Sequence, residues 1–325
     1  MSKEKTVKKK KLSSVSDNID VKNQYKGWLY LSPALILLII FSFYPLLNTF
    51  RMAFLNGYNG LAIVGGEKFS IGIENFKTVI NYVDFKLCLK NTLLLCVITV
   101  PISTTLALLI SVALNSIKPL QKVYQTVFFL PYVTNSIAIG MVFHAMFTQV
   151  GLGDLIQTAG IINNIIGVFG IGPINFVNVG STWGANMFVV CTYIIWHALP
   201  FKILVLLGGL QNVNKQYYEA AKIDGTSKIR TFFRITIPLV SPMLAYVIIT
   251  SFIGGFKEYS SIVGIFGEGM GPGGNGQMNT LVGYVYNMLP KSNSGNASAA
   301  SLILFGIILI VTAINGYVSK KKVHY

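Results

Sequence analysis

Residues 212–238, NVNKQYYEAAKIDGTSKIRTFFRITIP, separate two strongly apolar runs and form a polar interval long enough to hold structure of its own. Asn214 is a residue type that caps helices, and Gly225 accepts the left-handed geometry in which helices commonly stop. The two bracket a predicted short helix over residues 215–224. Within it Tyr217, Ala220, Ala221 and Asp224 fall at i, i+3, i+4 and i+7, so one face is small and mostly apolar, a form suited to entering a groove on another protein. Glu219 and Lys222 flank that face. A second short helix is expected to start at Thr226, carry Ile229, Phe232 and Phe233 inward, and give way to a membrane segment opened by Pro238.

The runs on either side explain why this interval is unusual. The chain of 325 residues is 53% hydrophobic and 11% charged, with a mean hydropathy of +0.60. Soluble domains carry about a quarter of their residues as charges, so the composition is that of a membrane protein. Six runs are apolar enough to span: residues 28–50, 91–114, 124–147, 183–210, 237–256 and 298–318. They are expected to be helices, since lipid leaves no partner for unpaired backbone groups and barrel strands would alternate in polarity. The first, about 34 Å long as a helix, is too long for a signal-peptide core and is expected to stay as a span. Prolines inside the runs, at positions 33, 45, 101, 131, 200 and 242, suit helices bent around a cavity.

An even number of spans puts both termini on one side. Of the 26 lysines and arginines, 18 fall on the termini and the two loops of that side, 7 on the longer loops opposite, and Lys202 lies within a span. Positive-inside bias therefore places both termini and the 212–238 loop in the cytoplasm. The net charge of +15 sits largely in that pattern. The lysine-rich N-terminal tail reads as an orientation signal that touches anionic membrane lipid, and without interleaved aromatics it argues for no nucleic-acid partner.

Candidate chemistry is sparse. Cys88, Cys96 and Cys191 have no metal-ligand spacing, and His144, His197 and His324 are scattered, so no metal site, disulfide or catalytic residue is assigned. Gly269, Gly271 and Gly274 make a formal G-x-G-x-x-G, but a turn at the outer mouth is the expected structure, because no strand precedes it and no helix follows. No G-x-x-x-x-G-K-[ST] occurs, so this chain holds no ATP in a P-loop. A charge inside a span is costly and marks a functional candidate. Lys202, about 13 Å along a helix from the cytoplasmic loop, can meet a substrate, pair with Glu258, snorkel or pair with another subunit. Phe256, Glu258 and Tyr259 at the outer end of the fifth span, with Tyr193 and Trp196, combine aromatic faces and polar groups in the manner of a sugar-lined path. An interfacial aromatic belt is the alternative for each.

Glu219-Ala220-Ala221, then Gly225 and Ile235-Thr236-Ile237-Pro238, resembles the EAA loop of permease subunits in binding-protein-dependent ABC importers. Ile237 stands where leucine is commoner. Ile73-Glu74-Asn75-Phe76, Asn91-Thr92-Leu93, Phe129-Leu130-Pro131, Leu207-Gly208-Gly209-Leu210-Gln211 and the stretch 281–300 resemble further landmarks of the maltose-permease-like branch, so the likeness runs from about Trp28 to Val318. The resemblance implies an all-α, six-transmembrane-helix type I importer permease: a basic tail at 1–27, a permease domain at 28–318 with its coupling loop at 212–238, and a C-terminal tail at 319–325. Tyr217, Glu219, Ala220, Ala221, Asp224, Gly225 and Pro238 would form the coupling element. Implied partners are a second homologous permease, two ATPases that bind ATP and Mg, an extracytoplasmic solute-binding protein and a carbohydrate, in a bacterial cytoplasmic membrane. The chain itself would need no cofactor and catalyse no covalent chemistry. A permease for glycerol phosphate or another small polar solute, a transporter independent of any ATPase, and a solvated basic loop without a docking role are the alternatives.

Overall fold

A computed structural model describes residues 26–59, 69–117, 121–150, 158–289 and 293–322. The basic tail up to residue 25 lies outside the described residues, as do Lys68, Lys118, Lys291 and His324. Five helices are long and apolar enough to cross a bilayer: α1 (Lys26–Ala53), α3 (Val83–Ser116), α7 (Trp183–Gln211), α9 (Lys228–Phe256) and α12 (Ser294–Lys322). Between them lie α2 (Glu74–Asn81), α4 (Gln121–Val133), α5 (Ser136–Phe147), α6 (Ile161–Val168), α8 (Lys215–Ile223), α10 (Ser260–Phe266) and α11 (Leu281–Met288). A two-residue antiparallel pairing joins Gln149–Val150 to Thr158–Ala159.

The expected third span is not one rod. Its two halves, α4 and α5, meet at 94°. Pro131 lies near the end of α4, and Asn135 then starts a new helix by accepting hydrogen bonds from the N–H groups of Ile137 at 2.9 Å and Ala138 at 3.2 Å. The fifth span also differs from expectation. Its helix begins at Lys228 and runs through Pro238, where a separate segment was expected to open. A π-turn at Phe232–Thr236 makes this possible: the Ile237 N–H reaches back five residues to the Phe232 carbonyl, widening the turn that a proline ring would otherwise crowd. The same device recurs in α1, with the π-turn Ile39–Phe43 followed by Tyr44 and Pro45. The second span starts eight residues before Asn91, since Asp84 in its first turn favours the helix end. The last span continues to Lys322, so Lys320 and Lys321 are helical.

Helices α3 and α7 form the centre of the bundle. The buried face of α3 is built from small and hydroxyl residues: Cys96, Thr99, Ser103, Ala107 and Ser111, at steps of three and four, with Thr104 beside Ser103. Such residues let membrane helices approach closely where no hydrophobic force draws them together. The Ser111 hydroxyl donates to the Ile203 carbonyl of α7 at 3.1 Å. Helix α9 covers one side of the pair, and a Cβ built on Gly255 would lie 2.9 Å from Cys96 Sγ. Helix α1 stands apart: only Ala53, at its end, is buried, and the helix packs chiefly against α12.

At the end away from α8, polar side chains tie the loops to the helix ends. Asn75 donates to the Ala53 and Leu55 carbonyls at 3.0 and 2.7 Å and closes the end of α1. Asn91, fully buried, donates to the Gln277 and Asn279 carbonyls at 3.1 and 2.9 Å and accepts from Trp183 Nε1 at 3.0 Å. The glycine-rich segment folds as the expected turn. The Gly276 N–H bonds the Gly269 carbonyl at 3.0 Å, while Met270 and Met278 are buried beneath. Asn91→Leu takes a partner from one buried and two part-buried polar groups and is expected to cost about 2–4 kcal/mol, seen as faster proteolysis of residues 267–280. Asn91→Asp, which cannot donate to either carbonyl, should be no better.

Candidate functional site

Helices α3, α7 and α9, with α4 at one side, enclose a cleft of about 240 Å³. Its lining sets polar side chains into a mainly apolar wall: Thr99 and Ser103 from α3, His197 and Lys202 from α7, Thr250 and Ser251 from α9 stand among Val100, Ile194 and Phe201. Glu258, just beyond α9, closes one end. Lys202 is buried, and its ammonium donates to Ser103 Oγ at 2.7 Å and Thr104 Oγ1 at 3.1 Å. Ser103 in turn donates to the Thr99 carbonyl one turn back. Of the alternatives open to Lys202, the pairing with Glu258 is not formed. The Glu258 carboxylate instead accepts from the N–H groups of Tyr259 and Ser261, both at 3.2 Å, and so anchors the start of α10. Among the described residues, Lys77 with Glu74 is the ion pair that forms.

The remaining path candidates lie elsewhere. Tyr193 is fully buried and donates to the Ser136 carbonyl at 2.8 Å, edge-on to Phe143 at 5.0 Å, so it holds the start of α5 in place. Phe256 is buried in a core with Phe85, Leu281 and Tyr284. Trp196 is exposed and packs against Phe143 at 5.6 Å, outside the cleft lining. Tyr259 stacks on Tyr286 at 4.6 Å next to Glu258, and burial, then Glu268 and Tyr286, lifts its phenol above the usual value. Sequence reasoning looked for charges and aromatics and passed over the hydroxyls. Thr99 and Ser103, four apart within an apolar run, were the available signal. His197 combines both readings: its ring stacks on Tyr193 at 5.6 Å, and it lines the cleft with Nε2 buried and lacking a hydrogen-bond partner.

At the opposite end, α8 is built as its sequence suggests. Asn214 Oδ1 accepts from the Gln216 N–H at 3.0 Å. The helix stops with the Thr226 N–H on the Ala221 carbonyl at 2.9 Å and the Gly225 N–H on the Lys222 carbonyl at 3.1 Å, with Gly225 at φ +64°. That double closure is a Schellman motif. The outward face differs from the expected one. Ala221 is buried, turned inward beside Tyr218, whose hydroxyl lies 3.4 Å from Thr236 Oγ1. Tyr217, Glu219, Ala220 and Asp224 are exposed, joined by Ile223 at 87%. Ile229 and Phe233 also face outward, against expectation, and Phe232 alone packs on the bundle. The π-turn sets their direction by shifting the phase of α9. Pro238 belongs to the continuous helix that joins this loop to the cleft.

Residues 99–324, which include the cleft helices and the loop, match the family described as binding-protein-dependent transport system inner membrane component. The chain belongs to that family. The permease is 30% identical over 290 residues to the arabinooligosaccharides transport system permease protein AraP of Bacillus subtilis (strain 168), spanning 89% of this chain and 86% of that one. It is 29% identical over 301 residues to the lactose transport system permease protein LacF of Rhizobium radiobacter, spanning 91% and 94%. Among solved structures, a chain of a bacterial ABC transporter involved in the import of the acidic polysaccharide alginate superposes with a TM-score of 0.76 at 20% identity, covering 93% of the permease and 97% of that chain. That likeness establishes the fold.

Lys202→Met keeps the length of the side chain and removes its charge, while Ser103 retains its own bond to Thr99. The melting temperature of the purified permease is expected to stay within about 4 °C of wild type or to rise. Transport should fall by about tenfold or more, as for other buried intramembrane charges that serve function.

Proposed function

We propose that the permease is the membrane subunit of an ATP-driven importer that carries a carbohydrate, in particular an oligosaccharide. The observation that carries this reading is the continuity of α9. One helix connects the exposed loop around α8 to Thr250 and Ser251 in the cleft, so a displacement at the loop reaches the lining without crossing a flexible joint. The capped geometry of α8 and the outward Tyr217, Ile223, Ile229 and Phe233 suit a lever gripped by a separate protein.

On this reading the loop and both termini face the cytoplasm, where two ATPase subunits hold ATP and Mg. An extracytoplasmic binding protein delivers solute to the other end, and a second, homologous permease closes the path. The relatives named for arabinooligosaccharides and lactose support a sugar as cargo, and a lining of hydroxyls with one ammonium and one carboxylate suits a polyhydroxylated solute. Lys202 favours a phosphorylated solute as the second reading. Glu258 in the same cleft weighs against it, because it would repel the phosphate.

Two substitutions test the coupling role. A Cβ on Gly225 meets nothing within 4 Å, so Gly225→Val acts through its backbone alone, which a β-branched residue resists at positive φ. Glu219→Lys reverses a charge on the exposed face. In the reconstituted complex both should retain solute binding and lose most transport, with ATP hydrolysis no longer stimulated by loaded binding protein. Wild-type coupling in both, or transport by the permease alone in liposomes, would sink the proposal.

A further inference from the structure

We infer that the groove between α8, the start of α9 and the end of α3 is a binding site for the headgroup of an anionic phospholipid. This cavity, about 760 Å³, is separate from the cleft and is larger than it. Lys222 and Lys228 line it from two different elements, with Asn115, Ser116 and Thr226 between them. No aspartate or glutamate is among its lining residues, and neither lysine is in an ion pair with another described residue. Its floor is apolar, formed by Val112, Leu210 and Phe232, which continue directly into the core that α3, α7 and α9 share.

Two rigid turns set the cations. The Lys222 carbonyl is held by the Gly225 N–H at 3.1 Å, and Ser227 opens α9, its Oγ accepting from the Arg230 N–H at 3.4 Å and its carbonyl from the Thr231 N–H at 2.9 Å. The lysine backbones therefore stand on either side of a closed turn, and the site is formed before anything enters it. Ammonium groups and hydroxyls at the rim suit a phosphodiester, and the apolar floor suits the first carbons of acyl chains. The floor is what distinguishes a lipid from a free anion. The other acidic candidate within reach would be a peptide, but an apolar floor continuous with membrane helices favours an occupant already in the bilayer. The lysine-rich tail of this chain carries charge of the same sign as the two lysines, so it does not complement the groove. A headgroup seated here would bridge α8 to α9 and brace the loop against the spans, an action independent of what the cleft carries.

The test is binding of phosphatidylglycerol to the full-length chain, followed by native mass spectrometry and thermal stability, with phosphatidylcholine, glycerol phosphate and inorganic phosphate as comparison arms. Phosphatidylglycerol alone should remain bound and raise the melting temperature. Lys222→Gln and Lys228→Gln should each weaken it about fivefold, and Lys228→Arg should restore it. Both lysines are exposed, so the variants are expected to fold. Undiminished lipid in both variants would overturn the inference, as would loss of binding only when residues 1–25 are removed. Inorganic phosphate binding as tightly as the lipid would overturn the assignment to a lipid.

Discussion

Every polar backbone group inside hydrocarbon must find a partner within the protein, and the irregular parts of this permease are places where that demand is met by a specific device. Proline removes a donor and crowds the preceding turn, and at Pro45 and Pro238 the chain answers with a π-turn ending two residues earlier. Where the third span turns through 94°, the freed N–H groups of α5 fall to the Asn135 side chain. At the end away from α8, Asn75 closes the end of α1 and Asn91 holds the loop that leads into α11. The bends are therefore stable features, and they permit helices to surround a cleft that straight rods would fill.

The same demand explains the position of the ammonium. Lys202 lies in a span, and its charge is met by two hydroxyls of α3 with no carboxylate beside it. Hydroxyls satisfy hydrogen-bonding geometry yet leave the charge uncompensated, so the cleft has a polarity that a solute group can use. Glu258 is differently engaged, holding the first turn of α10. A carboxylate that starts α10 and also lines the cleft ties the loops at the end away from α8 to the lining. At the other end α9 links the lining to α8. The cleft thus lies between two attachments, Glu258 at one end and α9 leading to α8 at the other.

Much of this was readable in order along the chain. Apolar length is a one-dimensional property, so the spans, the capped short helix at Asn214 and its stop at Gly225 were all legible from local residues. The facing of that helix was less so. Nine residues leave its rotation against the bundle open, and the decision falls to Tyr218 and Ala221, which pack inward and turn Ile223 out. The break in the third span depends on Tyr193 gripping Ser136, and on Gly140 lying so close to Gly264 that an added Cβ would meet its backbone at 2.6 Å. Those partners are remote in sequence, and Asn135 reads as a cap only once the bend is known.

The sequence by itself determined that the chain spans a membrane several times, which segments do so, and that a capped, glycine-terminated loop stands between the fourth and fifth spans. Each follows from transfer energy and local backbone preference, which a short window of residues contains. Only the tertiary structure decided which polar groups share a cleft, that Phe256 and Tyr193 are core residues, and that Thr99, Ser103, Thr250 and Ser251 line that cleft. In a bilayer an apolar residue is equally at ease against lipid or against protein, so hydrophobicity alone cannot say which face of a spanning helix looks inward.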